Sequence, residues 1–251
     1  MGSIDGIKGT ESPRSKVDTK NHSLVYCLVF KAATSSWFYN FNSWAGYSEY
    51  EIMHIDNLFL ARKFYPKENR LTLMQSMEHS FSFIVVRHPF ERLMSAFEDR
   101  LVSKKNAYYT RVAQAIYKRY HPIGRGSISF RDFVQYIIDD VEHNNGTIAL
   151  DIHWCPINNL CTPCLARYDF IIKLETYKQD VENMIRATNL QGVVKLAQLF
   201  QFKTLSWTIS FELEVPEKNA GLYYELDECK FILLDRNNLK ISFPPALYLI
   251  T

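Results

Sequence analysis

No stretch of this chain is apolar for long enough to cross a bilayer: the longest apolar run, Leu24 to Phe30, falls far short of the about 20 residues a spanning helix needs. The first 23 residues are polar and lack the apolar centre of a signal peptide. Gly2 is followed by Gly6 where N-myristoylation wants Ser or Thr. Net charge is nearly absent too, since 29 Lys and Arg against 27 Asp and Glu leave a formal +2. An anionic partner must therefore be held by local clusters rather than by an overall field. Glycine is scarce at 9 residues, and no Walker A loop with its terminal Gly-Lys-Ser/Thr occurs. The cysteines, Cys27, Cys155, Cys161, Cys164 and Cys229, are odd in number and unevenly spaced, which excludes a disulfide-stapled miniprotein. Taken literally, the expectation is a soluble, untargeted chain or a fragment of a longer one.

What is present fits one sizeable α/β domain. Hydrophobic residues make up 47% and aromatics 14%, enough for a packed core and too much for general disorder. Two sequons, Asn21-His22-Ser23 and Asn145-Gly146-Thr147, are compatible with a secretory route. Residues 1–22 read as a mobile lead-in or stem remnant, 23–195 as the main domain, and 196–251 as a divergent C-terminal segment. Ser23 to Phe30 reads as a buried strand and Trp37 to Trp44 as a helix, with Leu58 to Tyr65 another. Phe81 to Arg87 is the clearest strand, apolar and β-branched. Helical spacing follows over Phe90–Val102, Tyr108–Tyr120 and Phe130–Val141, then a loop-rich stretch, a strand at Tyr168–Glu175 and a helix at Tyr177–Ala187. Such alternation predicts a mainly parallel central sheet flanked by helices, with ligands bound beyond the carboxyl ends of the strands.

Two segments at strand ends carry anion chemistry. The first is FKAATSSW, residues 30–37. A bound phosphate wants backbone N–H donors, the positive end of a helix and a mobile charge. Ala32 and Ala33 let the backbone wrap closely, Lys31 supplies the charge, and Thr34, Ser35 and Ser36 supply hydroxyls. The plainer reading is a strand-to-helix turn with a Ser N-cap. The second is VRHPFERLMSAF, residues 86–97, where Arg87 ends a strand and Ser95 lies in the following helix. A guanidinium grips phosphate in bidentate fashion and a hydroxyl completes the cage. The plainer reading pairs Arg87 with Glu91. A nucleotide phosphorylated at both its 5′ and 3′ ends needs two such sites, one per strand end.

These segments resemble the Golgi carbohydrate sulfotransferases, the group that includes the chondroitin and dermatan 4-O-sulfotransferases. Their 5′-phosphosulfate loop reads Pro-Lys-Val-Gly/Ala-Cys-Thr-Asn/Ser-Trp, and VRHPFERLMSAF is similar to their 3′-phosphate motif almost letter for letter. A third block, DIHWCPINNLCTPCLARYDFIIKLET at residues 151–176, resembles their His-Trp-x-Pro, Leu-Cys-x-Pro-Cys, Tyr-Asp-Phe-Ile and Lys-x-Glu-Thr signature. The resemblance implies a P-loop-NTPase-like sulfotransferase fold and a sulfuryl donor, 3′-phosphoadenosine 5′-phosphosulfate (PAPS), with no metal. It implies that Lys31, Ala32, Ala33, Thr34, Ser35, Ser36 and Trp37 form the 5′ loop. Arg87 and Ser95 then hold the 3′-phosphate, and His153 is the base, with Glu175 a weaker alternative. It also implies a glycan acceptor, glycosaminoglycan of chondroitin or dermatan type, and residence in the Golgi lumen behind a membrane anchor that this chain lacks. Phe30 stands for the usual Pro, Thr34 for Cys, and Cys155 where Arg or Lys is common. After about residue 195 the resemblance fades.

Between Arg100 and Arg131 lie eight Lys or Arg and no Asp or Glu. Lys104, Arg111, Lys118 and Arg125 recur every seven residues, so those on one helix share a stripe that faces a sulfated or uronate-bearing polymer, unless it is only a solvated face. Three rivals stay open. A zinc knuckle would use His153, Cys155, Cys161 and Cys164, although a disulfide through Cys161 or Cys164 fits an oxidising lumen better. A degenerate member would bind anionic glycan without turnover. A nucleotide kinase is disfavoured by the missing Walker residues, and nucleic acid by the absence of any binding module.

Overall fold

The computed structural model describes residues 14–19, 22–65, 75–103, 105–143, 151–163, 166–191, 194, 232–234 and 240–242. Its central sheet holds four strands in the order β1 (Arg14–Thr19), β2 (His22–Cys27), β3 (Phe81–Val86) and β4 (Phe170–Lys173). β2, β3 and β4 run parallel, with Tyr26 opposite Phe83 and Ile84 opposite Ile171. The sheet is mainly parallel, as expected. β1 pairs antiparallel with β2. β1 lies within residues 1–22, the stretch read as a mobile lead-in or stem remnant. A separate antiparallel pair, β5 (Ile232–Leu234) and β6 (Lys240–Ser242), falls in the C-terminal segment.

β2 and β3 are buried along nearly their whole length, which is why they read as continuous apolar runs rather than alternating ones. Between them come α1 (Thr34–Trp44), α2 (Glu49–His54) and α3 (Asn57–Phe64). Between β3 and β4 come α4 (Pro89–Ala96), a π-helical turn (Phe97–Val102), α5 (Ala107–Tyr120), α6 (Phe130–His143) and the short α7 (Ile157–Cys161). The chain continues from β4 into α8 (Tyr177–Thr188). The expected helix over 90–102 thus gives way to a π turn after Ala96, and the expected strand over 168–175 shortens to four residues.

Two apolar clusters hold these layers together. One joins the sheet to α1, α3 and α8 through Tyr26, Trp37, Phe41, Phe83, Ile172, Val181 and Met184. The Phe83 ring lies 4.9 Å from that of Tyr26 and 4.6 Å from that of Trp37. The other joins the π turn, α5 and α6 to Trp154 through Phe97, Ile116 and Phe133. The loop bearing His153 runs where the two clusters meet, since Cys155 belongs to the first and Trp154 to the second.

A disulfide links Cys27, at the end of β2, to Cys161, at the end of α7, with Cα atoms 5.9 Å apart. It takes Cys161 out of the zinc set considered above. Cys164 and Cys229, both sequons' asparagines and most of 196–251 lie outside the described residues. Among the described residues, no helix is long and apolar enough to cross a membrane.

Candidate functional site

The 5′ segment is a strained turn rather than a capped one. Lys31 and Ala33 both take left-handed backbone conformations, with φ of 68° and 57°. A non-glycine residue adopts that region at a cost of about 1–2 kcal/mol, and such strain collects at functional sites. α1 begins at Thr34, one turn earlier than its apolar spacing implied, and its N-cap is Ala33, which offers no side-chain hydrogen bond. The expected Ser cap is therefore absent. Ser36 and Trp37 both donate to the Ala33 carbonyl. The amides of Thr34 and Ser35 are left without an intrahelical acceptor, and the helix dipole adds positive potential there.

Each residue of the segment has a distinct place. Thr34 Oγ1 donates to Val29 O at 2.8 Å and pins the turn, while Ser36 is buried and Ser35 is exposed. Ala32 and Ala33 are buried, as close wrapping requires. Trp37 is wholly enclosed among Tyr26, Phe41 and Phe83. Its side chain belongs to the core and supports the loop from beneath.

Lys31 Nζ bonds Asp99 Oδ2 at 2.9 Å, and Arg100 Nε lies 3.4 Å from the same oxygen. Asp99 sits on the π turn, a distortion common at functional sites. Burial pulls the Lys31 ammonium below its usual range and outweighs the opposing pull of Asp99. Burial pushes the Asp99 carboxyl up, but the Lys31 hydrogen bond and the charges of Lys31 and Arg100 win and hold it below its ordinary value.

Arg87 reaches the same turn. Its Nη1 donates to Lys31 O at 3.4 Å, so the segments that follow β2 and β3 touch. Its Nε pairs with Glu91 at 3.3 Å, the plainer partner read from the sequence, and Nη2 is uncommitted among the described residues. Ser95 lies half-buried in the last turn of α4.

Arg92, unnoticed in the sequence, ties the two halves of the site. It is buried, and donates from Nε to Phe30 O at 2.8 Å, from Nη1 to Cys155 O at 2.7 Å and from Nη2 to Ile152 O at 3.3 Å. Three carbonyls from two loops thus converge on one guanidinium, and the loop carrying His153 is clamped on both sides. Only its position one helical turn past His88 hinted at an inward role.

His153 is buried. Its Nδ1 lies 2.6 Å from Asp151 Oδ1 and 3.0 Å from the Tyr109 hydroxyl, whereas Nε2 has no partner among the described residues. The Phe30 ring packs on it with centres 4.8 Å apart. Asp151 and Tyr109 were also missed as partners, since α5 brings Tyr109 in from 44 positions away. Glu175, the weaker alternative base, is occupied otherwise: it accepts the His88 backbone N–H at 2.6 Å and ties β4's end to β3's. Cys155 is buried, and burial pushes its thiol up to about 11, so it presents nothing to an acceptor.

The basic segment is less continuous in space than in sequence. α5 carries only Arg111 and Lys118 of the expected stripe. Arg125 follows the helix, and Lys104 lies outside the described residues. Arg111, Lys118 and Arg125 are all exposed. α6 brings acids to the neighbouring Arg119, which pairs with Asp139 at 3.4 Å and Asp140 at 3.3 Å.

A family model described as the sulfotransferase family matches residues 15–219. The chain belongs to the sulfotransferase family. The match starts inside β1 and runs past residue 195, where the resemblance by motif fades. The chain is similar to human carbohydrate sulfotransferase 9, 29% identical over 185 residues, covering 66% of this chain and 39% of that protein. It is similar to human carbohydrate sulfotransferase 8, 31% identical over 182 residues, 66% and 41% of the two chains. With Xenopus laevis carbohydrate sulfotransferase 12 it is 27% identical over 262 residues, 92% of this chain and 62% of that one. This sulfotransferase-family chain spans about two fifths of the length of the first two relatives. No solved structure matches it. The parallel strands flanked by helices are the α/β arrangement expected of a sulfotransferase.

Proposed function

We propose that the chain is a PAPS-dependent carbohydrate sulfotransferase acting on a glycosaminoglycan of chondroitin or dermatan type in the Golgi lumen. The observation that carries this reading is the contact of Arg87 with the backbone of Lys31, which sets two cationic strand ends side by side. The uncapped start of α1 supports it, because its free amides want an external anion. The similarity to carbohydrate sulfotransferases supports a glycan acceptor, and the motifs at 30–37, 86–97 and 151–176 support the finer type.

PAPS, when bound, supplies an activated sulfuryl group and a bisphosphate that leaves. The residues present fit it: Lys31 and the amides at the start of α1 receive the 5′ end, and Arg87 with Ser95 receives the 3′-phosphate. Lys31 balances charge that grows on the departing oxygen, in the manner of an oxyanion site. It must exchange its bond to Asp99 for the nucleotide, as Arg87 must loosen from Glu91. His153 Nε2 accepts the proton of the attacking sugar hydroxyl. Arg111, Lys118 and Arg125, with Lys104, attract the polyanionic acceptor through a screened, salt-sensitive field.

A second reading, a family member that binds anionic glycan without turnover, draws on the enclosure of His153 Nε2 from solvent. Calorimetry with adenosine 3′,5′-bisphosphate and with ATP, followed by transfer of labelled sulfate to a panel of desulfated glycosaminoglycans, separates the readings. Binding of the bisphosphate in preference to ATP and labelling of a chondroitin or dermatan backbone are expected. Indifference to the bisphosphate defeats the enzyme reading. Binding of bisphosphate and glycan with no transfer to any acceptor favours the second.

A further inference from the structure

We propose that Asp151 and Tyr109 are positioning residues that hold the His153 imidazole in the tautomer protonated at Nδ1, leaving Nε2 as the bare nitrogen. The catalytic half of this inference rests on the reading of His153 as the base. The tautomer does not.

Four contacts meet at this cluster: the His153 backbone N–H to Asp151 Oδ1 at 2.8 Å, His153 Nδ1 to the same oxygen at 2.6 Å, Tyr109 Oη to Asp151 Oδ2 at 2.9 Å, and Tyr109 Oη to His153 Nδ1 at 3.0 Å. Asp151 is a carboxylate: burial pushes its carboxyl up, but its bonds from His153 and Tyr109 prevail and hold it below the ordinary range. It offers acceptors only. Tyr109 keeps its proton, since burial first and the Asp151 charge second push the phenol well above its usual value. That single proton goes to Oδ2. Nothing except the imidazole is left to supply a proton between Nδ1 and Oδ1. A bare Nδ1 would set two lone pairs against each other at 2.6 Å, in a buried place where such contacts are costly.

With Nδ1 protonated, a neutral imidazole has its lone pair at Nε2. Buried polar atoms are almost always bonded, so a histidine kept only for structure satisfies both nitrogens. Here Nδ1 is held by two partners, and Nε2 is enclosed with none among the described residues. The ring is also fixed in place: Arg92 grips the carbonyls of Ile152 and Cys155 on either side, and the tilted Phe30 ring packs against it. Arg100 lies over the Tyr109 ring at 5.4 Å, so two guanidiniums, Arg92 and Arg100, face this cluster.

The test begins with the wild-type protein, so it does not depend on any variant folding. Two-bond ¹H–¹⁵N correlation spectra of ¹⁵N-imidazole-labelled protein at neutral pH report which nitrogen carries the proton. The His153 signals are identified by their loss in His153→Gln. A protonated Nδ1 and a bare Nε2 are expected, and the opposite tautomer overturns the proposal. In Asp151→Ala both acceptor oxygens are gone, and the Tyr109 hydroxyl, 3.0 Å from Nδ1, is left to donate to it, which moves the ring proton to Nε2. The expected kcat loss is on the order of 10²–10⁴-fold, as when tautomer control fails in a Ser-His-Asp triad. KM for PAPS and binding of the bisphosphate should change only a few-fold. Tyr109→Phe should keep the tautomer and lower kcat by about tenfold or less. An Asp151→Ala enzyme with unchanged tautomer and kcat overturns the proposal. Undiminished kcat in His153→Gln sinks the base reading and the catalytic half with it, even where the spectra show the expected tautomer.

Discussion

The cations at the strand ends and those between residues 100 and 131 are the same residue types under opposite regimes. Lys31, Arg87 and Arg92 are each tied to named partners, and Arg92 is buried with three carbonyls around it. Arg111, Lys118 and Arg125 stand in solvent, while Arg119 is matched by Asp139 and Asp140. Desolvating a cation is costly, so a chain that does it must fix the group in place. A fixed cation suits chemistry at one atom, and an exposed one suits loose capture of a charged polymer.

The comparison is tested most severely by the disulfide, which fastens the end of β2 beneath the Lys31 turn. The Cys27–Cys161 bridge spans a sequence separation of 134. Replacing both cysteines with serine should cost about 4–5 kcal/mol on the chain-entropy account, read as a fall in thermal midpoint. Transfer should suffer with it, while salt-dependent glycan binding should not. Lys31→Ala should come next, lowering labelled-sulfate transfer by about 10²–10³-fold or to the assay limit, and Arg87→Ala should act alike. If Lys31→Ala transfers sulfate normally, the strand-end region is not the reacting site.

Arg92→Leu should destabilise by about 3 kcal/mol, because three carbonyls lose their donor. Chemical denaturation checks it, and an unchanged midpoint would deny the clamp. Arg111→Ala with Lys118→Ala should raise the acceptor KM by a factor equivalent to about 0.3–1 kcal/mol, vanishing at high salt, with kcat intact. A large fall in kcat would erase the distinction between the two regions. The smallest effect belongs to Asp99→Asn. Since the folded carboxyl is held below its unfolded value, its stabilisation is present above the unfolded value of about 3.9 and fades as pH falls through the folded one. The difference in thermal midpoint between wild type and variant should therefore shrink on acidification, and a difference that grows would reverse the assignment.

Much of the strand-end region was legible in the chain. Phe81–Val86 declared itself by composition, and Lys31 and Arg87 by their place between strand and helix. Arg92 was not legible, because an arginine on an amphipathic helix reads as solvent-facing until the carbonyls of Phe30, Ile152 and Cys155 are known to surround it. Nor was the start of α1, where strain at Lys31 and Ala33 overrides the expected serine cap. The setting of the basic segment was hidden for a different reason. Freedom from acids along 100–131 says nothing about α6, which folds back and supplies Asp139 and Asp140.

By itself the sequence determined the kind of sheet, the two cationic strand ends and the presence of a histidine in a proline-bearing loop, because these depend on local composition and on short motifs. Tertiary structure alone decided that Tyr109 and Asp151 meet at His153 Nδ1, that Asp99 holds Lys31, and that Cys27 finds Cys161. Those are contacts between residues far apart in the chain, where burial sets which proton goes where, and no periodicity along a strand or helix records them.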